Sequence, residues 1–181
     1  MSNHPLEQFV FCPKCGGIFV EKGVKSKQCQ KCNFEYFYNI SAATAAFVIN
    51  SKGELLVCRR CCEPEKNSLD LPGGFIDKSE SVEQGLAREI LEETGIFVEN
   101  FRYLFSLPNR YLYSDFLVRT LDFFFLCCLN NVPITKAMDD VTESFWIPLD
   151  SLSLPDFGLE SIRSGVGQFL AMVRKNEIIL R

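Results

Sequence analysis

The sequence lacks an apolar run long enough to cross a membrane. Its stretch Leu121–Leu129 falls well short of the roughly 20 residues that a membrane-spanning helix requires. The N-terminal residues Met-Ser-Asn-His-Pro also lack the charged and apolar regions of a secretory signal peptide. We therefore expect a protein with no membrane span and no secretory leader.

The sequence also lacks an excess of positive charge, internal repeats and low-complexity tracts. Its 19 Lys and Arg against 23 Asp and Glu give a formal net charge of −4, so no global basic field attracts nucleic acid. What is present is apolar: 47% of the 181 residues are hydrophobic, including 17 Phe, which suffices for a substantial core. This length fits one domain, or one domain with a small appendage.

Four of the nine cysteines have metal-binding spacing. Cys12 and Cys15 form one Cys-x-x-Cys knuckle, and Cys29 and Cys32 form a second after a 13-residue gap. Two such knuckles place four thiolates tetrahedrally around Zn²⁺, which predicts a zinc ribbon over residues 1–38 and a second domain over 39–181. Because four thiolates leave no open coordination position, this zinc is expected to be structural. Two disulfides or redox motifs are the alternatives.

The other five cysteines show no such pairing. We interpret them as ordinary thiols of strands and loops, although Cys58 and Cys61 repeat the Cys-x-x-Cys spacing, which leaves metal or redox use open. The five are Cys58, Cys61, Cys62, Cys127 and Cys128. So many thiols predict a reducing compartment, and hence a cytoplasmic location.

Lysines give the cysteine-rich segment a local basic character. A docking surface for nucleic acid is therefore possible, but a solvated surface on a small scaffold is the interpretation that we favour. The lysines are Lys14, Lys22, Lys25, Lys27 and Lys31.

Beyond residue 38 the pattern alternates between strands and helices. Ser41–Asn50 and Glu54–Arg60 are β-rich runs around a turn, and predict a hairpin. Phe97–Ser106, Leu121–Leu129 and the short segment Phe145–Ile147 are further predicted strands, and Ile162–Lys175 has helical spacing. The domain is therefore predicted to be α/β, with a mixed sheet between helices.

An acidic helix organises this domain. Ser81 and Gln84 form a capping-box pattern at its start, and Gly95 suits a left-handed cap at its end. Between them, Glu89, Glu92 and Glu93 share an arc of roughly 100°. Like charges ~4 Å apart repel by ~4 kcal/mol at an effective dielectric of ~20, so a half-buried cluster needs a counter-charge such as Mg²⁺. A solvated acidic face is the alternative.

The spacing of this segment resembles the Nudix box at every fixed position. The matching residues are Gly74, Glu80, Arg88, Glu89, Ile90, Glu92, Glu93, Gly95 and Ile96. This resemblance implies a Nudix hydrolase with an α/β/α sandwich and a mixed sheet, which uses Mg²⁺ or Mn²⁺ to cleave nucleoside diphosphates linked to another group.

The ribbon followed by the box is similar to NADH pyrophosphatases over roughly residues 10–150. That similarity implies that Glu89 and Glu93 bind the metal directly, with Glu92 bound directly or through water. The Gly74 carbonyl would add an oxygen ligand. Arg88 would orient the cluster, with Glu80 pairing nearby.

The similarity also extends to residues outside the box. Glu143 matches a later glutamate, and either Glu89 or Glu143 would be the base; an exposed strand-edge residue is the alternative for Glu143. These pyrophosphatases also carry a Ser-Gln-Pro-Trp-Pro-Phe-Pro-x-Ser stretch, which corresponds here to residues 106–114. Ser106, Pro108 and Ser114 agree, but the Trp and two prolines are missing. Ser106, Arg110 and Tyr111 are the candidate substrate contacts, and a packed loop is the alternative.

We therefore expect cleavage of a pyrophosphate bond in a substrate of the NADH, NAD or ADP-ribose class. Alternatives are a nucleoside triphosphatase, a nucleotide-sensing or RNA-binding Nudix module, and an enzyme that removes a nucleotide cap from RNA. Ribbon-bearing relatives also suggest a homodimer.

Overall fold

The computed structural model describes residues 4–113, 115–139 and 141–180. The chain divides into two compact units, Met1–Ile40 and Ser41–Arg181. The division expected from the sequence lies between residues 38 and 39. None of the described helices is long and apolar enough to cross a membrane.

The N-terminal unit is built on a small antiparallel sheet. Its strands are β1 (Phe19–Gly23), β2 (Ser26–Cys29) and β3 (Glu35–Phe37), in the order β1-β2-β3. Its buried core consists of Phe19 with two cysteines, Cys12 and Cys29, and the ring of Phe34 stacks on Phe19 at 6.4 Å. So little apolar burial cannot hold a chain of this length folded, so the unit needs a cross-link or a metal.

In its described residues, the second unit contains one six-stranded mixed sheet, two α-helices and two short 3-10 helices, Leu149–Ser151 and Leu154–Asp156. Its strand order is β6-β5-β4-β8-β7, with β9 paired to β5. β4 and β8 run parallel over nine residue pairs, and the remaining pairings are antiparallel. The strands are β4 (Ser41–Ile49), β5 (Glu54–Arg60), β6 (Leu69–Asp70), β7 (Arg102–Tyr113), β8 (Phe116–Cys128) and β9 (Val141–Pro148).

Each face of this sheet carries a separate apolar core. Residues 45, 47 and 49 of β4 belong to a core that includes Phe169 of helix α2 (Glu160–Arg174), whose ring stacks on Phe47 at 4.1 Å. Alternate residues of the same strand, Ala46 and Val48, pack with Leu86 and Ile90 of helix α1 (Val82–Thr94). The period of two along β4 thus confirms the predicted α/β/α sandwich.

Helix α1 begins and ends where its caps predict. The Ser81 side chain accepts a hydrogen bond from the Gln84 N–H, and the Gln84 side chain accepts one from the Ser81 N–H. At the other end Gly95 has φ of 70°, and its N–H donates to the Leu91 carbonyl. These local bonds fix which residues of the acidic segment share a face.

The hairpin after α1 differs from the sequence expectation. β7 begins at Arg102 rather than Phe97 and continues to Tyr113, through the segment expected to be a substrate loop. β8 likewise begins at Phe116 instead of Leu121, so the two strands pair along their whole length. Pro108 is tolerated because β7 lies at the edge of the sheet, where a missing N–H costs no ladder bond.

Candidate functional site

The four cysteines of the two knuckles converge on one point. Their sulfur atoms all lie within 4.8 Å of one another, with Cys12 to Cys32 at 3.8 Å and Cys15 to Cys29 at 3.5 Å. Four sulfurs placed ~2.3 Å from one zinc ion stand about 3.8 Å apart, so the quartet has the dimensions of a tetrahedral Zn site. None of these cysteines is joined in a disulfide.

The backbone around the quartet supports thiolate ligands. The N–H groups of Lys14 and Lys31 point at the sulfurs of Cys12 and Cys29, each at 3.4 Å. A side chain at Gly17 would come within 3.2 Å of the Cys29 sulfur, so the knuckle closes only around glycine. The N–H groups of Lys14 and Lys31 stabilise negatively charged sulfur, and the thiolate is the form of cysteine that binds metal.

Two of the five lysines near the quartet are engaged inside the N-terminal unit. The Lys22 ammonium pairs with Glu35 at 2.7 Å. Lys27 is buried, and its ammonium donates to the carbonyls of Glu7 and Phe9. The local basic character is therefore smaller than the lysine count indicates.

In the second unit, the side chain of Arg88 pairs with several carboxylates of the acidic segment. Its guanidinium binds both carboxylate oxygens of Glu80, at 2.8 and 3.0 Å, and donates to Glu89 and Glu92 at 2.9 Å each. It also donates to the Phe75 carbonyl. Arg88 thus ties the loop before the helix to the acidic face, as its expected orienting role requires.

The opposite charges in this cluster shift the pKa values of Glu80 and Arg88. Hydrogen bonding to Arg88 lowers the pKa of Glu80. The Arg88 pKa is raised by its hydrogen bonds, first to Glu80 and then to Glu89 and Glu92. Three carboxylates with one guanidinium still sum to a charge of −2, so the cluster keeps a net attraction for cations.

The turn at Gly73-Gly74 holds the other side of the acidic face. Glu93 is only 6% exposed, and its carboxylate accepts a hydrogen bond from the Gly73 N–H at 3.0 Å. Gly73 has φ of 146°, and a side chain there would meet the Thr44 carbonyl oxygen at 2.2 Å. Any residue other than glycine would therefore displace the backbone that holds Glu93.

Gly74 makes room for a second carboxylate. A Cβ atom at Gly74 would lie 2.6 Å from a carboxylate oxygen of Glu89, so this side chain occupies the space that a larger residue would fill. The Gly74 carbonyl accepts a hydrogen bond from the Thr44 N–H at 2.8 Å. The Thr44 hydroxyl also donates to this carbonyl, at the longer distance of 3.4 Å, so both lone pairs of the Gly74 oxygen have a partner.

The glutamates do not converge as the cysteines do. Among the described residues, only the cysteine quartet brings three or more ligand atoms within 4.8 Å. Glu89 and Glu92 turn instead to Arg88, and Glu93 turns to Gly73. All the donors available here are oxygens, and these suit hard divalent cations such as Mg²⁺ or Mn²⁺.

A cleft of about 380 Å³ adjoins the Gly73-Gly74 turn, and sequence reasoning missed most of its wall. Its polar lining, besides Glu93, includes Thr44, Arg60, Glu63, Asp70, Asn109, Thr120 and Asp122. Asp122 is buried and accepts hydrogen bonds from the hydroxyls of Thr120 and Ser161. The sequence did contain a signal, because Asp122 interrupts the apolar stretch Leu121–Leu129 two positions after Thr120.

Asp70 is the second buried carboxylate of this cleft. It binds Arg60 at 2.6 Å, and its pKa is raised, chiefly because burial disfavours the charged form, while Arg60 acts in the opposite direction. The cleft therefore combines one cation with four carboxylates, those of Glu63, Asp70, Glu93 and Asp122.

The candidate residues outside the box lie elsewhere. Glu143 of β9 is opposite Arg59 of β5 and binds it at 2.7 Å, with 58% of its side chain exposed. It does not line the described part of the cleft. Glu143 is therefore part of an ion pair at the protein surface.

Two of the three candidate substrate contacts, Ser106 and Arg110, face away from the cleft wall. Asn109 pairs with Thr120, and both line the cleft. Ser106 and Arg110 are an odd number of positions from Asn109, so the pleat directs them to the opposite face of the sheet. The side chain of Tyr111 lies outside the described residues, as does Ser114.

Comparison with known proteins places this geometry in a family. A model of the NUDIX domain matches residues 40–166. The NAD-capped RNA hydrolase NudC of Vibrio cholerae is 25% identical over 150 residues, which cover 82% of this chain and 53% of that protein. The NudC protein of Haemophilus influenzae (strain PittGG) is 26% identical over 151 residues, with coverages of 82% and 54%. The chain thus spans about half the length of these relatives.

Solved structures share the fold. A NUDIX hydrolase from Nitrosomonas europaea has a TM-score of 0.68 at 18% identity, with 91% of this chain and 92% of that one covered. The NUDIX domain of Shewanella oneidensis NrtR, solved with ADP ribose, has a TM-score of 0.61 at 20% identity, with coverages of 78% and 91%. At these identities the similarity establishes the fold.

Proposed function

Since residues 40–166 match its model, the chain belongs to the NUDIX family, and we propose that it is a divalent-metal-dependent pyrophosphohydrolase. Its substrate is a nucleoside diphosphate derivative of the NADH, NAD or ADP-ribose class. The observation that carries this proposal is the seating of Glu89 and Glu93 on the Gly73-Gly74 turn, at the wall of the cleft.

The acidic face of α1 is the proposed metal centre. Glu89 and Glu93 would hold Mg²⁺ or Mn²⁺ directly, and Glu92 directly or through water. The Gly74 carbonyl would add an oxygen ligand in place of its long hydrogen bond from the Thr44 hydroxyl. A bound ion supplies charge neutralisation at the phosphates and lowers the pKa of water. Supporting the assignment are the all-oxygen donor set, the excess negative charge and the space that Gly74 leaves for Glu89.

Other residues of the chain are proposed to orient the acidic cluster and to accept the proton. Arg88 orients Glu89 and Glu92 through charge-assisted hydrogen bonds, and Glu80 fixes Arg88 in turn. The proton acceptor is proposed to be Glu89 or Glu143. The bond from Arg59 to Glu143, and the position of Glu143 outside the described cleft lining, favour Glu89.

The substrate class rests on the cleft and on the relatives. A volume of about 380 Å³ lies within the usual range for sites that take one small-molecule group. Relatives with the name NAD-capped RNA hydrolase and a NUDIX domain bound to ADP ribose both indicate adenosine diphosphate derivatives. Asn109 and Thr120 are the proposed contacts on the cleft side of the hairpin. Ser106, Arg110 and Tyr111 stay predictions from the sequence.

A substrate panel tests this proposal. NADH, NAD⁺, ADP-ribose, diadenosine polyphosphates and deoxynucleoside triphosphates are each incubated with Mg²⁺, and the products are separated by chromatography. We expect two monophosphate products from a dinucleotide substrate. Glu93→Gln should lower kcat by ~100-fold or more, because the loss of outer partners alone costs metal sites 10–100-fold. Glu83→Gln, on the same helix but exposed, is the matched control.

Absence of hydrolysis across the whole panel would overturn the proposal, and nucleotide binding without turnover would favour a sensor module instead. Near-normal turnover by Glu93→Gln would overturn the assignment of the metal centre. Substitution of Glu143 by Gln distinguishes the two candidate bases, since a surface ion pair predicts little change in kcat.

Removal of a nucleotide cap from RNA is the second candidate. The NudC relatives carry that activity in their names. Faster cleavage of NAD-capped RNA than of free NAD⁺, with affinity that falls steeply with salt, would favour it. Equal rates and no salt dependence would favour the small dinucleotide.

We further propose that the cysteine quartet binds a structural Zn²⁺ and that the protein works in a reducing, cytoplasmic setting. The sulfur spacing supports the first proposal, and nine cysteines without a disulfide support the second. The homodimer rests on the resemblance to ribbon-bearing relatives, and light scattering of the zinc-loaded protein tests it.

A further inference from the structure

The chain contains two pairs of adjacent cysteines, and only one pair brings its sulfur atoms together. Cys61 and Cys62 follow β5, and their sulfurs lie 2.8 Å apart. This distance is short for two atoms that are not bonded, so little movement separates these thiols from a covalent link. The segment is also accessible, since Cys62 is exposed and Cys61 is half-exposed.

The second pair provides an internal comparison. Cys127 and Cys128 lie in β8, where successive side chains point to opposite faces of the sheet. Cys127 is 1% exposed, and burial raises its pKa to about 11. Burial also raises the pKa of Cys128. These two thiols can neither meet nor ionise readily.

The position of the first pair connects it to the cleft. Cys62, Glu63 and Pro64 form part of the same wall as Asp70 and Glu93. The wall is also held by a hydrogen bond from Arg60 to the Pro64 carbonyl at 2.9 Å. A covalent change at Cys62 would therefore alter the shape of the cleft.

We propose that Cys61 and Cys62 are a modification site, a vicinal dithiol that a peroxide closes to a disulfide, and that this closure restricts the cleft. One thiolate attacks a peroxide oxygen, the O–O bond breaks, and a sulfenic acid and one water form. The second thiol then displaces the sulfenic oxygen as a second water, and the S–S bond forms. The dithiol loses two electrons and the peroxide gains them. Thiol–disulfide exchange with a small dithiol restores both thiols.

Peptide mapping with hydrogen peroxide tests the covalent part. The zinc-loaded full chain is treated with one equivalent of hydrogen peroxide, alkylated with N-ethylmaleimide, digested without reductant and analysed by mass spectrometry. We expect the peptide with Cys61 and Cys62 to lack two hydrogens and carry no alkyl group. The peptide with Cys127 and Cys128 should remain reduced. Alkylation of both Cys61 and Cys62 after peroxide would overturn the proposal.

Turnover before and after oxidation tests the effect on the cleft. This readout depends on the proposed hydrolase activity, whereas the mapping does not, so the two failures are distinguishable. We expect oxidised wild-type protein to lose several-fold in kcat/KM and to recover it with dithiothreitol. Cys61→Ser should keep its activity through the same treatment. An equal loss in Cys61→Ser, or unchanged turnover despite a mapped disulfide, would overturn the restriction of the cleft.

Discussion

Two clusters in this protein have the chemistry of metal sites, but they differ in whether their ligand atoms converge on one point. The four sulfurs of the cysteine quartet already converge within 4.8 Å. The carboxylates of Glu89, Glu92 and Glu93 are spread between Arg88 and the Gly73 N–H. One cluster is closed around a point, and the other is held open by partners within the protein.

The difference follows from what surrounds each cluster. The quartet lies in a unit with a very small buried core, so we expect metal binding and folding of this unit to be coupled. Helix α1 packs on a large core through Leu86 and Ile90, so its fold does not need an ion. We therefore propose a structural role for the cysteine quartet and a catalytic role for the acidic face.

Zinc removal gives the largest expected effect. Chelation should unfold the N-terminal unit, because zinc contributes roughly 10 kcal/mol or more to such small modules, while the second unit stays folded. Calorimetry should show one transition lost and one retained, and a colorimetric dye should detect one zinc released per chain. Cys29→Ser should reproduce the loss, with Cys62→Ser as the control. An N-terminal unit that stays folded without metal would contradict the proposed structural role of zinc.

Substitution of Gly73 should give the next largest effect. Gly73→Ala places a methyl group against the Thr44 carbonyl at a positive φ, so we expect a loss of roughly 3 kcal/mol or more in unfolding free energy. Displacement of the Gly73 N–H from Glu93 should also lower kcat. Urea unfolding measures the first effect, and Gly53→Ala, in a turn with open space around it, controls for the positive φ alone. Equal losses in both variants would contradict a specific role for Gly73.

Substitution of Arg88 tests the acidic face, because Arg88 is the positive charge that pairs with Glu89 and Glu92. Arg88→Gln should lower stability by roughly 1–3 kcal/mol, since Glu80, Glu89 and Glu92 lose their shared counter-charge. Added Mg²⁺ should restore part of that loss, and more than it stabilises the wild type. Thermal unfolding with and without Mg²⁺ measures this difference. A loss that Mg²⁺ leaves unchanged would indicate that the acidic face does not take the ion.

The smallest expected effect is the pH dependence at Glu80. Its folded-state pKa lies below the usual 4.5 because Arg88 binds it, so its stabilising contribution is present above that pH and disappears as the pH falls through the folded value. Glu80→Gln should therefore flatten the acid limb of a stability–pH curve between neutral pH and pH 3. Glu99→Gln, in an exposed loop, should leave that limb as in wild type. An unchanged limb in Glu80→Gln would contradict the pairing.

Local chemistry made part of this structure predictable. The caps at Ser81 and Gly95 defined α1 because each depends on residues within a few positions. The two Cys-x-x-Cys knuckles predicted the quartet for a similar reason, since each knuckle orients its own pair of sulfurs.

The missed features depend on partners distant in the sequence. Asp122 binds Ser161, which lies 39 positions away, so its burial in the cleft wall was not readable from its neighbours. The length of β7 was missed because Pro108 and polar neighbours resemble a loop, whereas pairing with β8 decides the outcome. The sequence indicated a surface charge at Lys27, but this residue is buried and its ammonium donates to the carbonyls of Glu7 and Phe9.

Binding of Mn²⁺ to the zinc-loaded protein is the most direct test of the acidic face as a metal centre. Electron paramagnetic resonance measures free Mn²⁺ while wild type, Glu83→Gln and the double variant Glu89→Gln/Glu93→Gln are titrated. The account predicts that the first two bind Mn²⁺ alike and that the double variant loses this binding. Equal binding by all three proteins would contradict it.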